Sequence, residues 1–270
     1  VYGVLAEVSI LDLFIAGVIP GLLLAVMFMT YIGVAALLQP GAASAPEPST
    51  TWAQKARALG RLAPTLLLII FVIGSMYAGF ASVTEAASMG VLGACLLAAA
   101  ERQFTYTMLR DALLGSVKTC SMIGLIIAGA LFLSKAMARL RIPTDVANAI
   151  DAMGLTPVVL MLLLMVFYLA LGCFLDGLST IVMTLPVTLP LVISAGFDPV
   201  WFGIFLIVTI EMAQITPPIG FNLFVIKSLT GEPISRIARA AAPFCGIMIV
   251  LVFMLIALPG LATWLPNSMR

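Results

Sequence analysis

The sequence predicts an all-α protein that crosses a membrane several times, and three features of its composition support this prediction. Hydrophobic residues make up 63% of the 270 residues, and charged residues only 9%. The mean hydropathy is +1.21, and a soluble domain carries roughly 25% charged residues to cover its surface. The chain also contains repeated apolar segments close to the ~20 residues that a helix needs to cross a bilayer. We therefore expect a polytopic membrane protein.

The composition also excludes several functional classes. With 13 basic and 12 acidic residues, the chain has no basic stripe of the kind that binds nucleic acid. It contains no histidine, which excludes Ser-His-Asp triads and HExxH zinc sites. Its cysteines lie in apolar stretches without CxxC spacing, namely Cys95, Cys120, Cys173 and Cys245. We expect them to be small buried apolar side chains rather than metal ligands or a disulfide framework.

The first 63 residues are predicted to form a transmembrane helix followed by an amphipathic linker or arm. Residues 11–38 are the first apolar span, with Pro20 inside it. Residues 39–63 then change to Pro, Ala and Ser, followed by the amphipathic run WAQKARALGRL. This pattern is typical of a loop that leads into a short helix on the membrane surface.

Residues 64–154 are predicted to hold scaffold-type transmembrane helices and a second arm. The predicted spans are 64–80, 85–100 and 113–133, followed by an amphipathic arm at 134–154. Between the first two spans, Ser82 or Thr84 can cap the next helix, and Glu85 then lies in its first turn. We expect an ordinary capped turn at this point.

The predicted transport core is residues 155–229, where two interruptions fall within apolar sequence. They divide the core into a re-entrant helical hairpin at 155–196 and a broken transmembrane helix at 199–229. Irregular backbone at membrane depth is tolerated only where protein or a water-filled cavity satisfies its polar groups. Residues 230–270 then add a surface helix and a terminal span at 243–265.

The first interruption is GCFLDGLST, at residues 172–180. Gly172 can end one helix, and Asp176 or Ser179 can cap the next. The carbonyls of residues 172–175 then lose their helical partners and become candidate oxygen ligands. An aspartate in apolar surroundings is costly and indicates a cavity or a partner. An aspartate that only caps the second helix explains the pattern as well, and the two roles are compatible.

The second interruption is EMAQITPPIGFN, at residues 211–222. Pro217 and Pro218 donate no N–H, and a residue before proline is pushed out of the α region. The helix should end near Gln214 and restart at the prolines, with Thr216 as N-cap and Pro217 as the first residue. Such a gap can hold an anion at the new N-terminus and a cation at the free carbonyls. The alternative is a plain proline kink with the Thr216 hydroxyl bonded back to the helix.

Four stretches of the chain match the pattern of a known family: SILDLFIAGVIPGLLLAV (9–26), GFASVTEAA (79–87), LGCFLDGLSTIVMTLPVTLP (171–190) and EMAQITPPIGFNLFVI (211–226). They resemble the large membrane subunit of the tripartite ATP-independent periplasmic (TRAP) transporters. The last stretch is the most specific, because it places TPP-x-G-x-N-L-F inside a helix break. The resemblance extends over essentially the whole chain.

The resemblance implies an elevator-type secondary transporter of the bacterial inner membrane, driven by a sodium gradient. Its cargo would be organic acids such as C4-dicarboxylates or sugar acids. The implied partners are a small membrane subunit, a periplasmic binding protein that hands over the solute, and the lipid bilayer. Sodium is the coupling ion, and neither a cofactor nor an enzymatic activity is implied. Members of the family have two inverted repeats, and we expect the first to precede Val1, so the chain alone should not transport.

By the same resemblance, the two interruptions would line one cation site and half of the substrate site. The predicted cation ligands are Gly172, Asp176, Ser179, Gln214, Thr216 and Gly220, and the predicted substrate contacts are Thr180, Thr216, Pro217, Pro218 and Asn222. Two alternatives remain, an ion-coupled carboxylate carrier without a binding protein and a channel built from re-entrant loops. A membrane enzyme using Asp176 and Glu211 is disfavoured, because the flanking signatures of such enzymes are missing.

Overall fold

The computed structural model describes residues 1–38, 51–142, 144–146, 148, 156–218 and 220–269. All regular structure within these residues is helical, which confirms the predicted all-α class. Five of the described helices are long and apolar enough to cross a membrane, namely Ile10–Leu38, Val83–Ala100, Tyr106–Arg139, Gly177–Ser194 and Ile234–Ala257. The prediction of a polytopic membrane protein is therefore confirmed.

The described helices are α1 (Tyr2–Leu5), α2 (Ile10–Leu38), α3 (Trp52–Tyr77), α4 (Val83–Ala100), α5 (Tyr106–Arg139), α6 (Pro157–Gly172), α7 (Gly177–Ser194), α8 (Pro199–Gln214), α9 (Phe221–Thr230), α10 (Ile234–Ala257) and α11 (Gly260–Ser268). Two compact units divide the chain. One comprises residues 1–30 and 123–270, and the other residues 31–122.

In the unit of residues 31–122, α3 and α4 form an antiparallel pair joined by a capped turn. Ser82 is the N-cap of α4, and its backbone N–H donates to Glu85 Oε2 over 2.8 Å. This confirms the predicted cap and the place of Glu85 in the first helical turn. The two helices approach closely at Gly93, where an added Cβ would lie 2.3 Å from Leu68 Cδ1. A larger residue at position 93 would therefore require the Leu68 side chain to move.

In the other unit, α8 lies at the centre and packs against α6, α7, α10 and α11. Its first turns bury Trp201, Phe202 and Phe205, and the Trp201 ring stacks on that of Phe205 at a centroid distance of 5.6 Å. Trp201 Nε1 donates to Leu255 O on α10 over 3.1 Å. Large buried aromatic rings and an indole hydrogen bond give α8 a fixed position among its neighbours.

Predicted helix boundaries were wrong in both outer segments. The run WAQKARALGRL is the beginning of α3 and continues through Pro64 without a break, because strong helix formers follow the Thr51 cap and no terminator separates the two halves. The predicted surface helix within 230–242 and the last predicted span at 243–265 are one continuous helix that begins at Ile234. It ends at Ala257, since Pro259 has no N–H and pushes Leu258 out of the α region (φ −129°).

Other predictions on these segments fall partly outside the described residues. The predicted loop at 39–50 lies there entirely. Of the predicted arm at 134–154, residues up to Arg139 belong to α5, and residues 143, 147 and 149–154 lie outside the described part. The surface location of either arm stays a prediction.

The two core interruptions fall where the sequence predicts them. α6 and α7 form an antiparallel hairpin with a tip at residues 173–176, and α8 and α9 are separated by residues 215–220. At 16 residues each, α6 and α8 are about 24 Å long, shorter than a hydrocarbon core of ~30 Å. Neither helix is long enough to cross a bilayer unaided.

Candidate functional site

The hairpin tip is organised by its own side chains. Asp176 is the N-cap of α7, and its Oδ2 accepts a hydrogen bond from Ser179 N over 3.1 Å. The Thr180 hydroxyl donates to Asp176 O over 2.9 Å. These bonds join residues three and four positions apart, so the local sequence is sufficient to specify them. The predicted cap is therefore present, whereas the role of Asp176 as a cation ligand stays a prediction.

The broken-helix tip is built differently from the prediction. α9 begins at Phe221 with Gly220 as its N-cap, and Gly220 adopts a left-handed conformation (φ +54°). The predicted restart at Pro217 with Thr216 as N-cap was wrong, because Pro217 itself precedes a proline and is disfavoured in the α region. Thr216 instead donates its hydroxyl proton back to Met212 O over 2.7 Å. The hydrogen bond expected for a plain proline kink is therefore present, but the helix is fully interrupted and not merely kinked.

The structure brings the two tips into direct contact. The Gly220 N–H donates to Cys173 O over 3.2 Å, which joins the backbone of the broken helix to that of the hairpin. The backbones also approach at Gly172, where an added Cβ would lie 2.6 Å from Ala213 Cβ. At Gly177, an added Cβ would lie 2.6 Å from Gln214 Nε2. Gly172 is needed because only the absence of a Cβ permits this approach to Ala213, whereas a Cβ at position 177 would displace the flexible Gln214 side chain.

The remaining predicted residues lie around this contact with different exposure. Pro217 and Pro218 are exposed, Thr216 and Gln214 are half-buried, and Asn222 is half-buried in the first turn of α9. Asp176 and Glu211, both within the described part of the chain, share no hydrogen bond.

Sequence analysis missed two cysteines at this site. Cys173 Sγ lies 3.6 Å from Thr216 O and 3.7 Å from Pro217 O. Cys245, on α10, has its Sγ 3.4 Å from Thr216 Oγ1. No local pattern predicts the second contact, since the two residues are 29 positions apart. Both cysteines are thus polar partners of Thr216 and not only apolar filling.

A group of buried hydroxyls inside the hairpin was also missed. The Tyr168 hydroxyl lies 2.9 Å from Thr184 Oγ1 and 2.8 Å from Thr188 Oγ1. Thr184 donates in turn to Thr180 O over 2.7 Å. The four-residue spacing of the three threonines in an apolar segment was the available signal, because it places them on one helix face. The hydroxyls connect the two helices of the hairpin below its tip.

A cavity of about 510 Å³ adjoins the tips and is lined mainly by apolar side chains. Its polar lining comes from Glu211 and Gln214 on α8 and from Gly177 at the start of α7. Tyr2, also in the lining, donates its hydroxyl to Pro199 O. Burial, with smaller contributions from Tyr168 and Asp198, raises the pKa of Tyr2 above its ordinary value and keeps this donor protonated. The cavity has the size of a small-molecule site.

Comparison with known proteins identifies the family. Residues 1–261 match the family model described as "Tripartite ATP-independent periplasmic transporter, DctM component". The C4-dicarboxylate TRAP transporter large permease protein of Pseudomonas aeruginosa is 33% identical, over 99% of this chain and 62% of its own length. The ectoine/5-hydroxyectoine TRAP transporter large permease protein of Ruegeria pomeroyi is 31% identical, over 98% of this chain and 61% of its own.

A third relative is the sialic acid TRAP transporter large permease protein of Vibrio cholerae, 28% identical over 99% of this chain and 62% of its own length. The chain thus spans just over three-fifths of the length of these relatives. The solutes in their names differ, so similarity at this level does not select a cargo.

Proposed function

The chain belongs to the DctM component family of the tripartite ATP-independent periplasmic transporters, and on that premise we propose that it forms the core of a sodium-coupled permease that imports organic acids. It is a multi-pass protein of the bacterial inner membrane. One observation carries the proposal, the match of residues 1–261 to this family, and the hydrogen bond of 3.2 Å from Gly220 N to Cys173 O supports it by bringing the two interrupted helices into contact. Neither a cofactor nor an enzymatic step is part of this function.

Sodium would bind to oxygens at the joined tips. Unwound backbone carbonyls and the C-terminal ends of half-helices are the usual ligands for coupling ions in broken transporter helices. Gly172 and Gln214 end α6 and α8, and Thr216 adds a hydroxyl and a carbonyl between them. The Asp176 carboxylate supplies the negative charge. Ser179 and Gly220 complete the set of residues that we assign to the ion.

The organic acid would bind beside the ion. Neither 172–180 nor 214–222 contains Lys or Arg, so no side chain of these tips can neutralise a carboxylate. The positive ends of α7 and α9 and the bound sodium itself would do so, which makes solute binding depend on the ion. Thr180, Thr216 and Asn222 offer polar contacts, and Pro217 and Pro218 shape the gap. Because the positive charge of the bound sodium would help to hold the carboxylate, binding of the solute would be coupled to binding of the ion.

Transport would proceed by an elevator movement of the core that carries the loaded tips across the membrane. A periplasmic binding protein would deliver the solute, and a small membrane subunit would complete the assembly. Membership of the family supports both partners. The solute would be a carboxylate such as a C4-dicarboxylate or a sugar acid.

The test is the substitution Thr216→Val in the complete transporter that contains this chain. It removes the hydroxyl and keeps the shape, and we expect the sodium concentration for half-maximal uptake to rise about tenfold. Thr209→Val is the matched control, because Thr209 lies seven residues earlier, on α8, and makes the same kind of bond to a carbonyl four residues back, over 2.8 Å. The control should leave sodium activation within about twofold of wild type.

Three results would contradict the proposal. Wild-type uptake that does not require sodium would show that sodium is not the coupling ion. Solute that equilibrates across the membrane but never accumulates would indicate a channel. Accumulation without any binding protein would indicate an ion-coupled carrier of another kind.

A further inference from the structure

Thr216 carries two oxygens in the broken-helix tip, and a thiol lies against each. Cys245 Sγ is 3.4 Å from the hydroxyl oxygen, and Cys173 Sγ is 3.6 Å from the carbonyl oxygen. The thiols come from different elements, since Cys173 belongs to the hairpin tip and Cys245 to α10. A single residue of the tip is thus held from two sides by the same chemical group.

The direction of the hydrogen bond from α10 follows from a count of protons. Thr216 has one hydroxyl proton, which it donates to Met212 O over 2.7 Å. Only lone pairs of Thr216 Oγ1 are then left to face Cys245, so the thiol must be the donor. Carbonyl oxygens only accept, so Cys173 is likewise a donor, and its single proton is shared between Thr216 O at 3.6 Å and Pro217 O at 3.7 Å. Both thiols therefore occupy lone pairs that a cation would use.

A thiol is a weak occupant of such a lone pair. An S–H···O hydrogen bond is a second-order interaction, weaker than the bond that a hydroxyl would make at the same place. Sodium is a hard cation that prefers oxygen, and the neutral sulfur does not compete as a ligand. The thiol can therefore hold the threonine in place without opposing ion entry as a hydroxyl would.

We propose that Cys245 and Cys173 are positioning residues of the cation site, whose thiols cap the two Thr216 oxygens in the ion-free state and release them when the cation binds. This inference rests on the proposed function, in which Thr216 is a sodium ligand. While the site is empty, the thiols fill these lone pairs, and the bond to Met212 O keeps the Thr216 hydroxyl oriented. Because the bonds are weak, their loss reduces sodium affinity only slightly.

The inference predicts opposite effects for two substitutions at one position in the complete transporter. Cys245→Ala removes the competing donor and should lower the sodium concentration for half-maximal uptake about twofold. Cys245→Ser supplies a stronger donor and should leave that concentration at or above the wild-type value, up to about threefold higher. A purely structural cysteine would be damaged by both changes in the same direction.

Cys95 provides the matched control, because it is a free, half-buried cysteine on α4 like Cys245 on α10. Cys95→Ala and Cys95→Ser should both leave sodium activation unchanged. A value for Cys245→Ala at or above wild type, or a value for Cys245→Ser that falls with it, would overturn the inference. If wild-type uptake needs no sodium, the proposed function fails first, and that failure is visible without any variant.

A second measurement does not depend on solute uptake by the variants. The S–H stretching vibration of a thiol moves to higher frequency when the thiol loses its hydrogen bond. Adding sodium chloride to the purified complete transporter should shift part of this band upward, and adding choline chloride should not. The same shift should be smaller in Cys173→Ala or Cys245→Ala and full in Cys95→Ala. A band that sodium does not move, in protein that does take up solute with sodium, would overturn the inference.

Discussion

The two interruptions of the core differ in where the hydrogen-bond partners of their helix ends come from. At the hairpin tip, Asp176 caps the next helix through Ser179 N, and Thr180 returns a bond to Asp176 O. At the broken-helix tip, α9 starts at Gly220 without a side-chain cap. Besides the local bond from the Thr216 hydroxyl to Met212 O, this tip has partners on distant elements, namely Cys173 O on the hairpin and Cys245 on α10. The first tip is locally complete, and the second depends on its neighbours.

This difference indicates which tip can respond to a ligand. Bonds between residues three or four positions apart form whenever the helix forms, so the hairpin tip is specified by its local sequence. Bonds to distant elements exist only while those elements stay packed, and here the bonds to Thr216 come from weak thiol donors. We expect the broken-helix tip to be the part that an ion reorganises.

The largest effect should come from Gly220→Ala. An added Cβ would lie 2.9 Å from Thr216 O in a residue whose φ is +54°, so both a clash and a strained backbone result. We expect a loss of about 3 kcal/mol in unfolding free energy and at least a tenfold loss of uptake. Gly231→Ala is the control, since its φ is +73° with nothing within 4 Å, and it should cost only about 1 kcal/mol. Thermal unfolding of the purified transporter measures both.

Equal losses of unfolding free energy in Gly220→Ala and Gly231→Ala would contradict this prediction. They would mean that the left-handed backbone alone matters at Gly220. The tight contact with the Thr216 carbonyl would then not define the broken-helix tip.

Tyr168→Phe should have an intermediate effect on the hairpin. It removes the hydroxyl that lies between Thr184 and Thr188, while both threonines keep their bonds to carbonyls four residues back, of 2.7 and 3.1 Å. The expected loss is therefore about 1–2 kcal/mol in unfolding free energy. Tyr106→Phe, at a position 80% exposed, should change the melting temperature very little. If Tyr168→Phe changes the melting temperature as little as Tyr106→Phe does, the hairpin does not need this connection.

The smallest effect on stability should come from Asp176→Asn. Asparagine caps a helix as well as aspartate does, so we expect a change of only a few tenths of a kcal/mol, whereas Asp176→Ala should cost about 1 kcal/mol. Loss of the charge should nevertheless raise the sodium concentration for half-maximal uptake about tenfold. The matched control is Asp198→Asn, because Asp198 caps α8 through Val200 N and Trp201 N and is not assigned to the ion. Unaltered sodium activation in Asp176→Asn would restrict Asp176 to capping.

Much of the fold could be predicted because its signals are local or compositional. Few charged residues and long apolar runs leave only membrane-spanning helices as a stable arrangement. The positions of both breaks followed from Gly172, Asp176 and the two prolines, whose conformational limits do not depend on the rest of the chain. The Ser82 and Asp176 caps were predictable for the same reason.

The tertiary structure decided how the second break is built. Thr216 was predicted as a cap and is instead bonded to Met212, while its lone pairs meet thiols 29 and 43 positions away. The place where α9 restarts followed from Gly220, whose N–H finds its partner at Cys173 O on the hairpin. Tyr168 found its threonines across the hairpin in the same way. The sequence by itself thus determined where the chain must leave the helix, because backbone limits act within a few residues. Packing alone determined which atoms meet there, because contacts between distant segments exist only once the helices are placed together.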